Sequence, residues 1–501
     1  MGGGTLARRL IAANLKVLLL ERGGLNWSTH VLNTSRPHAD LINPSKSIEN
    51  DPTQDNDYLF KQFKENYETD EREVGYQGGP VFCLGGRSAV WGLYCPKLSE
   101  EDEKFFPPDI VDQLNSKYYR EADEILTSGE FEKPKGLYKI IPILGEEVEP
   151  AYIGAQFRPS KHTSYTIPLG AYSTIDFLMD YEYNVRKQNA SLGTKRHKTS
   201  HVLLHMQAIR FILDSDKSSE NSRVIKCVVA QDTISGQKYY FTGHSFVLAA
   251  GTVESYRIAN QSNITQSNSG ITDHAILYHY FVSQHKTLKE ENVEPAPVFP
   301  NRAYKLQKYR KLPSGKICLI NVAINCDVFL GRGGKEWNKA LKTMSKGDHS
   351  TVNALSAVVF EFTAPLNENN KVYLNGEKTR ISMRDQDIAD EDMQDLHEFA
   401  KKLVAKIGKP LPGFNHGDFE LKRAALGCVA HEAGTLPIKG KLTPNGIVNS
   451  NLQFIGYDNL FGCDLSVFPV CPSANPSKTL IGLALRLGDH IIQSNKPSSK
   501  L

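Results

Sequence analysis

Gly2-Gly3-Gly4-Thr5-Leu6-Ala7, with the stretch Lys16-Val17-Leu18-Leu19-Leu20-Glu21 that follows it, decides the fold class. Its small residues fit the pattern G-x-G-x-x-A, which lets a backbone approach a pyrophosphate at a helix N-terminus. The stretch reads as a Gly-rich turn, a helix over Leu6 to Asn14 and a strand over Lys16 to Glu21, the second half of a βαβ nucleotide-binding unit. Glu21, at the end of that strand, can accept hydrogen bonds from ribose hydroxyls. A flexible Gly-rich start before an ordinary helix and strand would look much the same. A Rossmann-like unit also needs an apolar strand ahead of its turn, and only Met1 precedes Gly2. The reading therefore expects a truncated start that lacks the first strand.

The rest of the composition narrows the function classes. The chain has 501 residues, 40% of them hydrophobic, enough for two domains or one domain with an elaborated cap. Lys and Arg number 59 against 56 Asp and Glu, interspersed along the chain, and nothing in that balance asks for nucleic acid. The longest apolar runs, Val17 to Leu20 and Phe246 to Ala250, are strand-length, so no membrane span is expected. No signal peptide is legible at the start, which favours a soluble cytoplasmic protein. Sequons at Asn26, Asn33, Asn189, Asn260 and Asn263 arise too easily by chance to argue for secretion. The eight cysteines lack metal-ligand spacing and read as reduced, buried thiols; no metal site is expected.

Along the chain, residues 34–75 are polar and read as a long surface excursion, and Gly75 to Gly92 turns Gly-rich and apolar again. Helix-like patterning covers Pro107 to Gly129 and Asp390 to Ile407, the latter amphipathic. Strands are expected at His201 to Leu213, Arg223 to Gln231, Gln237 to Phe241, Ile317 to Cys326, Thr351 to Phe362 and Lys371 to Leu374. Ser245 to Ala250 reads as a fully buried strand ending at Gly251. The fold class is α/β, with α+β character in a cap. A Rossmann-like nucleotide-binding domain is expected over 1–100, 195–275 and 425–501, and a sheet-plus-helix substrate domain over 101–194 and 276–424.

Leu84-Gly85-Gly86-Arg87-Ser88-Ala89-Val90-Trp91-Gly92 gathers small residues and one hydroxyl about a bulky ring, which suits a backbone pressed against a flat cofactor. A tight structural turn would look similar. Toward the C-terminus, His431-Glu432-Ala433-Gly434-Thr435 precedes Asp464 and then Asn475-Pro476-Ser477-Lys478-Thr479, which opens a helix over Leu480 to Ile492. A lone histidine is more often structural, and Asn before Pro is more often a turn. Their joint occurrence shifts that balance.

These segments, together with Val247 to Ser255 and Asn459 to Pro469, resemble the glucose-methanol-choline (GMC) flavin oxidoreductases over nearly the whole chain. The resemblance implies FAD as cofactor and hydride transfer from an alcohol or sugar hydroxyl carbon to flavin N5, with oxygen or a quinone-like acceptor. It implies that His431 and Asn475 face the flavin, His431 as the base. It further implies cofactor contacts from Gly2, Gly4, Glu21, Gly86, Ser88, Val90, Asp464, Pro476 and Thr479, and from the backbone of Ile209. Gly270-Ile271-Thr272-Asp273-His274 is similar to the family's Asp-His segment. The loop Gly85 to Trp91 is similar to that of pyranose oxidases, some of which bind FAD covalently through a histidine. That position here is Val90, whose side chain cannot form the link, so FAD is expected to be noncovalent. The alternatives are a cofactor-free, non-catalytic truncated homologue and a flavin monooxygenase or halogenase, which would not need the His431 and Asn475 pair.

Overall fold

The computed structural model describes residues 1–30, 67–69, 76, 78–126, 149–150, 171–192, 201–219, 222–265, 268–286, 304–324, 351–367, 369–376, 378–410, 419–427 and 429–495. The chain opens with helix α1 (Gly2–Ala12) and strand β1 (Leu18–Leu20). After β2 (Tyr67–Thr69) it runs through α2 (Glu100–Glu103), α3 (Pro108–Gln113) and α4 (Tyr119–Leu126). Next come β3 (Glu149–Pro150), α5 (Thr174–Leu192), β4 (His201–Leu203), β5 (Met206–Leu213), β6 (Ile225–Asp232), β7 (Lys238–Thr242), β8 (Phe246–Leu248) and α6 (Thr252–Gln261). They are followed by β9 (Asn268–Ser269), β10 (Ile276–Lys286), β11 (Tyr304–Lys311), β12 (Ile317–Ile324), β13 (Thr351–Phe362), β14 (Ala364–Pro365), β15 (Lys371–Asn375) and β16 (Lys378–Ser382). The last elements are α7 (Asp390–Ile407), β17 (Gly408–Pro410), β18 (Lys422–Arg423), β19 (Leu460–Gly462), β20 (Val470–Cys471) and α8 (Ser477–Ser494).

The fold is α/β. One half holds two parallel pairs, β1 with β4 and β8 with β19, beside an antiparallel meander β5-β6-β7. Among the described residues β1 and β8 each pair along one edge only, and both strands line the same cavity. Helix α1 turns Leu6 and Leu10 onto the apolar face of α8, where Leu480, Ile481, Leu483, Ala484 and Leu487 are buried. Small residues let the elements approach. A Cβ on Gly2 would lie 2.2 Å from the Cys463 carbonyl oxygen, and one on Gly488 would lie 2.6 Å from Arg9 Cγ.

The other half is an antiparallel sheet in the order β17-β10-β13-β12-β11-β3, with β18 also on β10. Its alternation has two consequences. On one face Leu277, Phe281, Ile320, Val322, Val358 and Phe360 pack against Leu396, Phe399, Ala400, Leu403, Val404 and Ile407, spaced three and four apart on α7. Burying each large side chain contributes about 1.5–3 kcal/mol, which fixes the sheet's register and the side of it that faces α7. The opposite face carries Tyr278, Tyr280, Asn321, Ala323, Ala357, Val359 and Glu361 into the cavity.

Several expectations need correction. The glycines at 2–4 are not a turn before a helix from Leu6; they are the first turn of α1, with Thr5 N–H bonded to the Met1 carbonyl. The strand expected over Lys16 to Glu21 is the shorter β1, and His201 to Leu213 is broken at His205, whose φ is 57°. Ser245 to Ala250 is not a fully buried strand: β8 spans three residues, and Ala249 and Ala250 are exposed where the chain meets the cavity. Of the polar stretch 34–75, only Tyr67–Thr69 lies within the described residues, where it pairs with β16. Six cysteines, at 83, 95, 227, 318, 463 and 471, are free and buried. Among the described residues no helix is long and apolar enough to cross a membrane.

Candidate active site

The two halves enclose a cavity of about 1180 Å³. One wall brings together residues far apart in sequence: Gly2 to Gly4 at the start of α1, Glu21 after β1, Gly85 to Arg87 and Val90, and Ala249 to Gly251 after β8. Asp464 and Pro476 are on the same wall. Met1 makes no side-chain cap on α1, and Gly2 to Gly4 of its first turn line the cavity, where helix N-terminal amides can donate to an anion. Gly85 and Gly86 adopt φ of 83° and 51°, which bend the chain into the short 3-10 turn Gly86–Ala89.

Three carboxyl groups on this wall are held in different ways. Glu21 accepts from the Gly23 N–H at 2.8 Å, yet burial pushes its carboxyl up to about 7. Asp464 ties the wall together: its Oδ2 accepts from the Gly251 N–H at 2.9 Å and from Ser255 Oγ at 2.5 Å, and its Oδ1 accepts from the Ser466 N–H at 2.8 Å. Burial alone would raise the Glu254 carboxyl, but Arg257, 2.9 Å away, and Arg22 hold it below the usual range.

Where this wall meets the β10–β13 sheet, His431 and Asn475 converge. His431 Nε2 lies 3.3 Å from Asn475 Nδ2, and Asn475 Oδ1 is buried with no hydrogen-bond partner among the described residues. Asn475 is fixed by its own segment: Pro476 is the N-cap residue of α8, and Ser473 donates from its N–H and hydroxyl to Asp102 at 3.1 and 2.8 Å. His431 Nδ1 lies 2.8 Å from Nε2 of His274, whose Nδ1 in turn lies 3.0 Å from the Pro472 carbonyl oxygen. Burial pulls the His274 imidazole down to about 4, so the ring is neutral at physiological pH. Burial and the nearby Glu432 push the Asp273 carboxyl up to about 7.

Three of the expected cofactor residues do not line the cavity. Ser88 is buried behind the loop, with Oγ 2.8 Å from Thr174 Oγ1 and donating to the Gly85 carbonyl at 2.7 Å, contacts that shape the turn. Thr479 is buried in α8 with Oγ1 3.1 Å from the Tyr119 hydroxyl. At β5, Met206, Gln207, Ala208 and Phe211 reach the cavity, and Ile209 does not. Sequence reasoning also missed Glu361 and Asn321, whose side chains meet at 3.2 Å on the β12–β13 face that lines the cavity. Ligand atoms of Glu361, His274 and His431 all lie within 4.8 Å of one another. The signal was present: Asn321 is the one polar residue in the apolar strand β12, and Glu361 is the one charged residue in β13.

With this geometry in hand, residues 367–484 match the family profile described as GMC oxidoreductase. This part of the chain is similar to the GMC oxidoreductases. Solved GMC-type structures resemble the whole chain. A pyridoxine 4-oxidase from Mesorbium loti is 13% identical with a TM-score of 0.57, over 97% of this chain and 96% of that one. A formate oxidase of Aspergillus oryzae, studied for modification of its FAD, is 13% identical with a TM-score of 0.53, over 99% and 96%. A fungal aryl-alcohol oxidase is 15% identical with a TM-score of 0.50, over 98% and 97%. At these identities the likeness is one of fold. No curated protein sequence matches the chain.

Proposed function

We propose that the protein is an FAD-dependent oxidoreductase acting on CH–OH groups, with His431 as the base. The observation that carries this is the convergence of His431 Nε2 and the unpartnered Asn475 Oδ1 in a cavity whose other wall holds the α1 amides and Glu21. The residues present suit FAD: the α1 amides would meet the pyrophosphate, Glu21 the ribose, and the Gly85 to Val90 backbone the flat ring. A bound flavin would supply the hydride acceptor. We assign residues 1–100, 195–275 and 425–501 to cofactor binding and 101–194 and 276–424 to the substrate side. Val90 lacks a linking atom, which favours noncovalent FAD.

The chain's own part is proton handling and orientation. A substrate hydroxyl placed between His431 Nε2 and Asn475 donates its proton to the imidazole, while the Asn475 amide donates to the oxygen as negative charge develops. Tyr278, Tyr280, Asn321 and Glu361 offer the opposite wall polar and aromatic groups, so sugar-like and polyhydroxy alcohols are the first substrates to try. The electron acceptor would be oxygen or a quinone-like compound. Replacing His431 with Ala should lower the anaerobic rate of flavin bleaching by about 10²-fold or more while FAD stays bound. An unchanged stopped-flow rate refutes the role of His431, and a protein that stays colourless with added FAD refutes the flavin reading. Rapid recolouring on admitting air identifies oxygen as acceptor.

A further inference from the structure

His274 does not line this cavity, yet it hydrogen-bonds to the residue on which the proposed chemistry depends. Its Nδ1 faces the Pro472 carbonyl, and a carbonyl oxygen only accepts, so the ring proton sits on Nδ1. His274 is 2% exposed and buried as the neutral ring, so it carries no second proton, and its Nε2 presents a lone pair. The 2.8 Å contact to His431 then requires the proton on His431 Nδ1. Asn475 Nδ2 donates toward the other nitrogen of the His431 ring. Every bond in the chain Asn475, His431, His274, Pro472 therefore points the same way.

We propose that His274 is a positioning residue that holds His431 in the tautomer with its proton on Nδ1, so that Nε2 is the unprotonated nitrogen facing the substrate hydroxyl. The inference rests on the reading of His431 as base. The rings, 4.9 Å apart and inclined at 62°, also fix the tilt of His431. A neutral histidine differs from a carboxylate in this position. It accepts the Nδ1–H bond without placing a negative charge beside the imidazolium that forms, so it orients His431 while raising its basicity less than a carboxylate would. Around the pair stand Asp273 and Cys471 behind His274, Glu361 on β13, and Glu432 with Arg87 at 2.6 Å, so the charge near His431 is set by these groups and not by its ring partner.

The test uses the full chain loaded with FAD, with ¹⁵N-labelled histidine. The His431 signals, assigned by their loss in His431→Ala, should show Nδ1 protonated and Nε2 unprotonated at pH 8 without any substrate present. His274→Phe keeps a planar ring but removes the acceptor. It should abolish that bias, slow anaerobic flavin reduction about 10–100-fold and move the acid limb of its pH profile to lower pH. His274→Gln retains an acceptor and should recover most of the rate. A wild-type spectrum with Nε2 protonated overturns the proposal, as does a His274→Phe enzyme with the wild-type rate and pH profile. If His431→Ala itself reduces flavin normally, the base reading falls, and the ¹⁵N spectrum still decides the tautomer.

Discussion

Replacing Asp102 with Asn changes one oxygen to an NH₂ group and should be among the most costly conservative substitutions in the protein. The carboxylate is fully buried and accepts five hydrogen bonds from three segments. Oδ1 accepts from Thr363 Oγ1 at 2.6 Å and from the Ser473 N–H at 3.1 Å. Oδ2 accepts from Ser473 Oγ at 2.8 Å, Ser99 Oγ at 2.8 Å and the Ser99 N–H at 3.3 Å. An amide turned either way sets its NH₂ against one of the two backbone N–H groups, because a backbone N–H cannot rotate into an acceptor. That orphaned donor costs about 1–3 kcal/mol, and the surviving bonds each weaken by roughly 1 kcal/mol without the charge. The total is about 3–5 kcal/mol, read as a lower denaturant midpoint at unchanged slope. Ser473 stands two residues before Asn475, so flavin reduction should also slow, by up to about 10²-fold if the amide moves by 1 Å. A variant within 0.5 kcal/mol of wild type would refute this account of the buried carboxylate.

Three further expectations follow from other parts of the site. Glu21→Gln should gain stability over wild type in cofactor-free protein at pH 8, and the gain should shrink as pH falls below about 7, because the folded carboxyl binds its proton there while the unfolded one binds it only near 4.5. Denaturation at pH 5 and pH 8 checks it, and equal differences at both would count against it. Arg87→Met leaves the buried Glu432 without its 2.6 Å partner and should cost about 3–5 kcal/mol, most of it recovered when Glu432→Gln is added, as a double-mutant cycle would measure. Gly427→Ala should destabilise by about 3 kcal/mol or more, since φ is 78° and the new Cβ would sit 2.3 Å from the Gly78 backbone nitrogen, which cannot swing aside; a denaturant midpoint equal to wild type would contradict it.

The parts legible in the sequence were those governed by local periodicity. Strand Thr351–Phe362 and helix Asp390–Ile407 fall at their expected bounds, because alternation in one and three-to-four spacing in the other are properties of adjacent residues. His431 and Asn475, singled out by their segments, do meet. The first turn of α1 was misplaced because glycines read as a turn wherever they cluster, whereas Gly2 is small to let the helix touch the Cys463 carbonyl, a contact with a distant segment. Ser88 and Thr479 look like ligands by type, yet each is consumed by a buried neighbour that sequence spacing does not reveal. Asp102 went unnoticed in an acidic, surface-like run for the same reason: the partners that make it structural are Thr363 and Ser473.

The short segment from Val470 to Asn475 carries a further consequence, one about which changes its lineage can accept. Cys471 is bridged to Ala364 through the β14 and β20 ladder, the Pro472 carbonyl receives His274, the Ser473 N–H reaches Asp102, and Asn475 turns into the cavity. Most of these anchors are main-chain groups, which every residue type supplies. The number of residues is therefore fixed by the main chain, and Ser473 and Asn475 are held by their side chains as well. Insertion or removal of one residue would put each carbonyl and amide out of step with partners from both halves at once. Along this stretch, selection is expected to act on length before identity.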